Sequence, residues 1–136
     1  MAATLALLLA LQAAPAIPAV PAVPAPAAAA LEYADAKRLA DADERSVTGP
    51  THDAMHAGQE RLLQEGVVAC ALGVPQRDFS AFTIVMQLDA EGRVAQAWRQ
   101  GSSPLAICLQ RYVRGKTVFV PPRAPFHASL EVSFTP

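Results

Sequence analysis

Apolar and polar residues alternate in a hairpin-like pattern in the middle of the chain. In residues 82–88 (FTIVMQL) every second side chain is apolar, which is typical of a strand with one buried face. Residues 89–92 (DAEG) have the composition of a turn, with glycine at a position that favours a positive φ. Residues 93–99 then read as the returning strand, with Val94 and Trp98 on one face. The pattern predicts a β-hairpin.

Apolar residues at helical spacing lie on both sides of this hairpin. Residues 31–46 contain strong helix formers but few apolar positions, so we expect a solvated helix or a partly ordered lead-in. A second helix is expected to start at a Thr51 cap and to end before Gly73, and a third to start at a Ser103 cap. Alternation returns in residues 126–135 and predicts a third strand. These elements predict an α+β domain of two layers, with a three-stranded antiparallel sheet packed against two helices (order α-β-β-α-β) and an extra N-terminal helix.

The N-terminal part of the chain has the features of an export signal. Residues 1–31 carry no charged side chain, and the leucines of residues 5–11 form an apolar block too short for a bilayer core of about 30 Å. The Ala/Pro-rich run that follows favours an extended, proline-rich spacer. We therefore assign residues 1–30 to a signal peptide plus spacer, 31–50 to a helical lead-in and 51–136 to the folded domain. A retained membrane anchor and a plain disordered tail are the alternatives.

The two cysteines and the charge distribution narrow the class of protein. With export, a disulfide between Cys70 and Cys108 is the expected state; in a reducing compartment both would be buried apolar residues.

A net charge of −1 gives no reason to expect a nucleic-acid partner. Basic residues dominate after position 92, which indicates either intramolecular charge complementarity or a face for an acidic partner.

One short motif could carry metal chemistry. His52 and His56 are four residues apart on a predicted helix, with Asp53 between them and Glu60 one turn further on. This spacing is similar to that of zinc hydrolases, in which two histidines bind the metal and an acid activates water. The alternative is a polar start of the helix, and we expect no catalytic residues and no cofactor.

Several segments resemble one known family. Residues 85–94 contain a strand, a D-x-x-G-x-V turn and the start of the next strand; Ser102 and Ser103 precede the third helix, and residues 119–122 (FVPP) form an aromatic-proline run. Together they resemble the C-terminal domain of TonB-type energy transducers, and more closely the short two-cysteine TonB-like domains of bacterial envelope proteins. The resemblance covers residues 58–134.

The resemblance implies a small sheet packed on two helices and an activity of binding, in which a peptide partner adds a strand to an open sheet edge. The short apolar N-terminus and spacer, and the absence of the family's Tyr-Pro before the first strand, argue for a freestanding module outside energy transduction. We expect a periplasmic or secreted, non-enzymatic domain that binds an envelope protein or peptide. The expected binding residues are those of the third-strand edge and the basic helix face: His127, Ser129, Glu131, Ser133, Arg111 and Arg114. The alternatives are a small periplasmic metal-binding protein or hydrolase that uses His52, His56 and Glu60, and a purely structural secreted protein.

Overall fold

The computed structural model describes residues 14–19 and 30–135. Residues 14–19, within the predicted spacer, form neither helix nor strand, and the rest of the predicted signal peptide and spacer lies outside the described residues. The elements, in chain order, are α1 (Tyr33–Ser46), α2 (Gly49–Ala71), β1 (Phe82–Leu88), β2 (Val94–Gln100), α3 (Pro104–Val113) and β3 (Phe126–Val132). The predicted α+β class, the extra N-terminal helix and the order of the elements are confirmed.

β1 is the central strand of an antiparallel sheet with the order β2-β1-β3. Its alternating apolar side chains face α2 and α3 and form the main core with them, as the period of two predicts. The largest fully buried side chains of this core are Phe126, Leu62, Ile84, Met86, Leu88, Leu109 and Val113. The predicted turn is also present, and Gly92 adopts a φ of 82° within it.

Val94 and Trp98 lie on opposite faces of the sheet, so the expectation that they share a face is wrong. The pairing register shifts between Gln87, which pairs with Gln96, and Leu88, which pairs with Val94. The extra residue on β2 is a β-bulge, and it reverses the alternation of the side chains. Val94 therefore belongs to the main core, whereas Trp98 packs on the other face.

α1 covers that second face of the sheet. Ala36 and Ala40 are fully buried against Val85, with Tyr33 and Trp98 partly buried around them. The small alanine side chains let the helix approach the strands closely, which explains why so few large apolar residues suffice in this segment. α1 is thus packed on the sheet, and the expectation of a solvated helix or a partly ordered lead-in is wrong.

The helix starts follow local backbone chemistry. Ser103 caps α3 as predicted, because its Oγ accepts a hydrogen bond of 3.2 Å from the Ala106 amide. α2 starts earlier than the predicted Thr51 cap: it follows an extended Thr48 and has Pro50 in its first turn. Proline fixes φ near helical values and lacks the amide hydrogen that would be unpaired there, so it favours the earlier start.

The predicted disulfide is present. Cys70, near the end of α2, is bonded to Cys108 in the middle of α3, with 5.8 Å between their Cα atoms. Cys70 also packs against the main core, as its place on the apolar stripe of α2 predicts. The bond joins the two helices that cover one face of the sheet.

Candidate functional site

The outer edge of β3 is the candidate site. β3 pairs with β1 on one side, and its backbone groups at alternate residues point away from the sheet. The amides of His127 and Ser129 belong to this outward set, because both donate hydrogen bonds to side chains outside the sheet. By the same alternation, Glu131 is the next residue with an outward amide. A strand edge of this kind is a template for pairing with another chain.

Two consecutive carboxylates of α1 occupy part of this edge. Asp43 Oδ2 accepts a hydrogen bond of 2.8 Å from the His127 amide, and Glu44 Oε1 accepts one of 2.5 Å from the Ser129 amide. Hydrogen bonds from an amide to a carboxylate are charge-assisted and stronger than those to a neutral acceptor. At these two residues, side chains of α1 therefore accept the hydrogen bonds that a neighbouring strand would otherwise accept.

Glu44 is held by several donors at once. Its Oε1 also accepts hydrogen bonds from Ser129 Oγ at 3.2 Å and from Gln59 Nε2 at 3.1 Å. Burial raises the pKa of Glu44 above its ordinary value, and the hydrogen bonds from Ser129 and Gln59 and the charge of Lys37 offset only part of that effect. Keeping the Glu44 carboxylate ionised at this buried position therefore costs free energy.

Asp43 links the same edge to the segment that precedes β3. Its Oδ1 accepts a hydrogen bond of 2.8 Å from Arg123, which also donates to Ser46 Oγ at 2.7 Å. The His127 ring is buried beneath α1, with Nδ1 3.5 Å from Asp43 Oδ2 and the ring centre 6.0 Å from that of Trp98. Among the described residues, its Nε2 has no hydrogen-bond partner.

α2 forms the other wall of the site. Gln59 Nε2 donates a hydrogen bond of 2.9 Å to the Ser129 carbonyl, so a third backbone group of the edge is paired with a side chain. Beyond this contact a groove of about 300 Å³ runs between α2 and β3. Its lining is mixed apolar and acidic: His56, Gln59, Glu60, Leu63, Ser129, Leu130 and Glu131.

Lys37 joins α1 to the outer part of β3. Its Nζ lies 2.9 Å from Glu131 Oε1 and also contacts the Asp41 carboxylate one turn along the helix. The hydrogen bond with Asp41 raises the pKa of the Lys37 ammonium above its ordinary value, and Glu131 acts in the same direction. Glu131 remains largely exposed in spite of this pair, with a side-chain exposure of 65%.

The residues predicted from the sequence do not form one surface. His127 and Ser129 lie on the β3 edge but are covered by α1, while Glu131 borders the open groove. Ser133, just past the end of β3, lines a second cleft of about 490 Å³ at the end of the sheet, and Glu131 lines this cleft as well. Arg111 and Arg114 are exposed on or just after α3, which packs on β2, β1 and α2. They belong to the β2 side of the sheet, opposite the β3 edge.

Sequence reasoning missed three residues of the site: Asp43, Glu44 and Gln59. The first two carried a signal that we did not use. Both lie in the last turns of α1, which ends at Ser46, where the helix dipole disfavours negative charge. Acidic residues in that position are expected to have a compensating partner elsewhere, and here it is the edge of β3.

The candidate metal ligands are brought only partly together. The rings of His52 and His56 are 4.9 Å apart, and both line a cleft of about 400 Å³ between α1 and the start of α2. Glu60 accepts a hydrogen bond from Gln64 and lines the groove beside β3, which it shares with His56 but not with His52. Within residues 14–19 and 30–135, no three His, Cys, Asp or Glu side chains are grouped so that they could share a metal ion.

Comparisons with family models, with curated proteins and with solved structures find no match to this chain. In the described part of the chain, no helix combines the length and the apolar character that a membrane span requires.

Proposed function

We propose that this chain is an exported, non-enzymatic, TonB-like domain that binds an extended segment of an envelope protein at the outer edge of β3. The observation that carries the proposal is that, among residues 14–19 and 30–135, β3 pairs with a strand on one side only, next to a groove along α2. An extended segment that enters this groove would hydrogen-bond to the backbone at Glu131 and rest on Leu63. The disulfide supports export, because such bonds persist mainly in oxidising compartments.

The other edge of the sheet, at which a strand could also be added, is formed by β2. On β2, the Val94 amide donates to the Lys116 carbonyl, and the Val94 carbonyl accepts from the Gly115 amide, both at 2.9 Å. Gln110 Nε2 also donates to the Ala97 carbonyl at 3.0 Å. Backbone of the same chain therefore pairs with the β2 edge at Val94, and a side chain pairs with it at Ala97, whereas the β3 edge lies next to the groove along α2.

The charge of the groove indicates the chemistry of the partner. Glu60 and Glu131 both line it, with Leu63 as the apolar residue of α2 between the polar ones. An incoming strand that alternates apolar and basic residues would place an apolar side chain on Leu63 and a basic one near Glu60, because Glu131 is already paired with Lys37. Lys and Arg side chains suit this role because they carry both an apolar stem and a charged end.

The test is a titration of the intact protein with a synthetic peptide of alternating valine and lysine, seven residues long like β3. Two variants of one position separate backbone pairing from charge: both lose the Glu131 charge and its ion pair with Lys37, and only Glu131→Pro also loses the outward amide. Proline is tolerated on edge strands where its missing amide would face solvent. We expect Glu131→Pro to bind about tenfold more weakly than Glu131→Gln, because a backbone hydrogen bond and the strand register are both lost.

A peptide of alternating valine and glutamate is the control for charge, and it is expected to bind more weakly than the lysine peptide. Equal binding by Glu131→Pro and Glu131→Gln would contradict strand addition at this edge. An envelope extract passed over the immobilised protein then identifies the natural partner, and the retained protein should be lost from the Glu131→Pro column.

A further inference from the structure

We infer that α1 is an intramolecular competitor of the partner strand: its Asp43 and Glu44 carboxylates occupy the β3 amides that a fully paired partner needs. This inference rests on the proposed function, since it describes the regulation of the same edge. A partner strand reaches Glu131 and the groove while α1 is docked. It reaches Ser129 and His127 only after α1 has moved away.

The competition follows from the number of donors. Each backbone amide has one hydrogen, and the hydrogens of His127 and Ser129 are already donated to Asp43 and Glu44. The two amides are two residues apart, which in a strand is about 6.8 Å along one edge. Two adjacent carboxylates of a helix thus imitate successive carbonyl groups of a neighbouring strand. Gln59 completes the imitation by donating to the Ser129 carbonyl.

The apolar contact of α1 is small enough for the helix to be displaced. Its fully buried side chains are Ala36 and Ala40, whereas α2 and α3 bury methionine, leucine and valine in the main core. Because apolar stabilisation grows with the area buried, alanine contributes much less than leucine. Tyr33 and Trp98 add partly buried apolar contact, and the other contacts of α1 include the ion pairs of Lys37 with Glu131 and of Asp43 with Arg123. Elements held in this way open locally at lower cost than the core.

Trp98 reports on the position of α1. It is the only tryptophan of the chain, it packs beneath α1, and its Nε1 donates a hydrogen bond of 2.7 Å to the Leu31 carbonyl. Displacement of α1 would expose the indole to water and shift its fluorescence emission to longer wavelength. The wild-type protein therefore contains its own probe.

The experiment is to titrate the wild-type protein with the valine-lysine peptide while Trp98 emission and peptide binding are both recorded. We expect the emission to shift to longer wavelength with the same midpoint as binding. Binding without a change of emission would overturn the inference and leave the proposed function in place. Binding of the peptide neither to the wild type nor to the variants below would overturn both.

A pair of double variants gives the second measurement. Asp43→Ala with Glu44→Ala removes the competing carboxylates, and Glu32→Ala with Asp35→Ala removes the same charge at the N-terminal end of α1, away from the hydrogen bonds with β3. We expect the first pair to bind the peptide about tenfold more tightly than the wild type, because a larger fraction of molecules has a free edge. The control pair is expected to bind like the wild type. Equal affinities of the two pairs would overturn the inference.

Amide hydrogen exchange shows whether the first pair is folded. Ala128 and Leu130 face β1 and should stay protected, while His127 and Ser129 should exchange at least about tenfold faster than in the wild type. Unchanged exchange at His127 and Ser129 would overturn the inference. If protection is lost at all four residues, the wild-type Trp98 titration decides.

Discussion

Glu44 is the residue at which three elements meet. Its carboxylate belongs to α1, yet it accepts hydrogen bonds from Ser129 of β3 and Gln59 of α2. Burial raises the pKa of Glu44 above its ordinary value of 4.5, so the folded protein binds this proton more tightly than the unfolded chain does. Between these two pKa values, the free energy of unfolding gains a contribution from Glu44 as the pH falls.

Glu44→Gln is predicted to remove that contribution. Glutamine keeps an oxygen that accepts from the Ser129 amide but carries no charge to be desolvated. The free energy of unfolding of the variant, minus that of the wild type, should therefore be larger at pH 7 than at pH 4.5. Urea unfolding at both pH values measures it. Glu91→Gln is the control, because Glu91 is exposed in the hairpin turn. A stability difference between wild type and Glu44→Gln that is the same at both pH values would contradict the assignment.

At the scale of elements, α2 depends on a glycine within its helical stretch. Gly58 is buried, and a Cβ at this position would lie 2.1 Å from the backbone oxygen of Val118. By helix propensity alone, Gly58 and Gly66 would only weaken the helix. In the structure, the missing side chain of Gly58 allows the segment before β3 to cross α2 at very short distance.

Gly58→Ala is predicted to destabilise the protein by about 1–2 kcal/mol. The higher helix propensity of alanine contributes about 1 kcal/mol of stabilisation, and the forced backbone shift costs more than that. At Gly66, an added Cβ would meet only side-chain atoms of Leu109 and Tyr112, which can rearrange, so Gly66→Ala should cost less. Urea unfolding of both variants shows which substitution lowers the free energy of unfolding more. A stabilising Gly58→Ala would show that this close contact does not exist.

A period of two predicts the buried face correctly for β1 but not for all of β2. Every second residue of β1 from Phe82 to Leu88 faces the main core, as the alternation predicts. On β2 the bulge at Ala95 inverts the alternation, and Trp98 moves to the face beneath α1. An alanine gives no local sign of a bulge, since the bulge arises from pairing with β1 and is invisible in β2 alone.

At the scale of the whole molecule, the disulfide links the two helices on the main-core side of a small domain. The bonded cysteines are 38 residues apart, and the chain-entropy relation gives roughly 3–4 kcal/mol of stabilisation for a loop of this length. Cys70→Ala with Cys108→Ala is predicted to lower the free energy of unfolding by about that amount. Urea unfolding with and without a reductant measures it. The reductant should lower the midpoint of the wild type and leave that of the double variant unchanged.

The sequence by itself determined the elements and their order, and it made a disulfide the expected state of the cysteines in an exported chain. Periodicity, caps and turn glycines depend on residues a few positions apart, whereas the structure shows that the two inward-facing cysteines are bonded. Tertiary structure alone decided what α1 does. The contacts of Asp43 and Glu44 with His127 and Ser129 join residues more than eighty positions apart. Such a contact depends on where the chain returns, and no local pattern records that place.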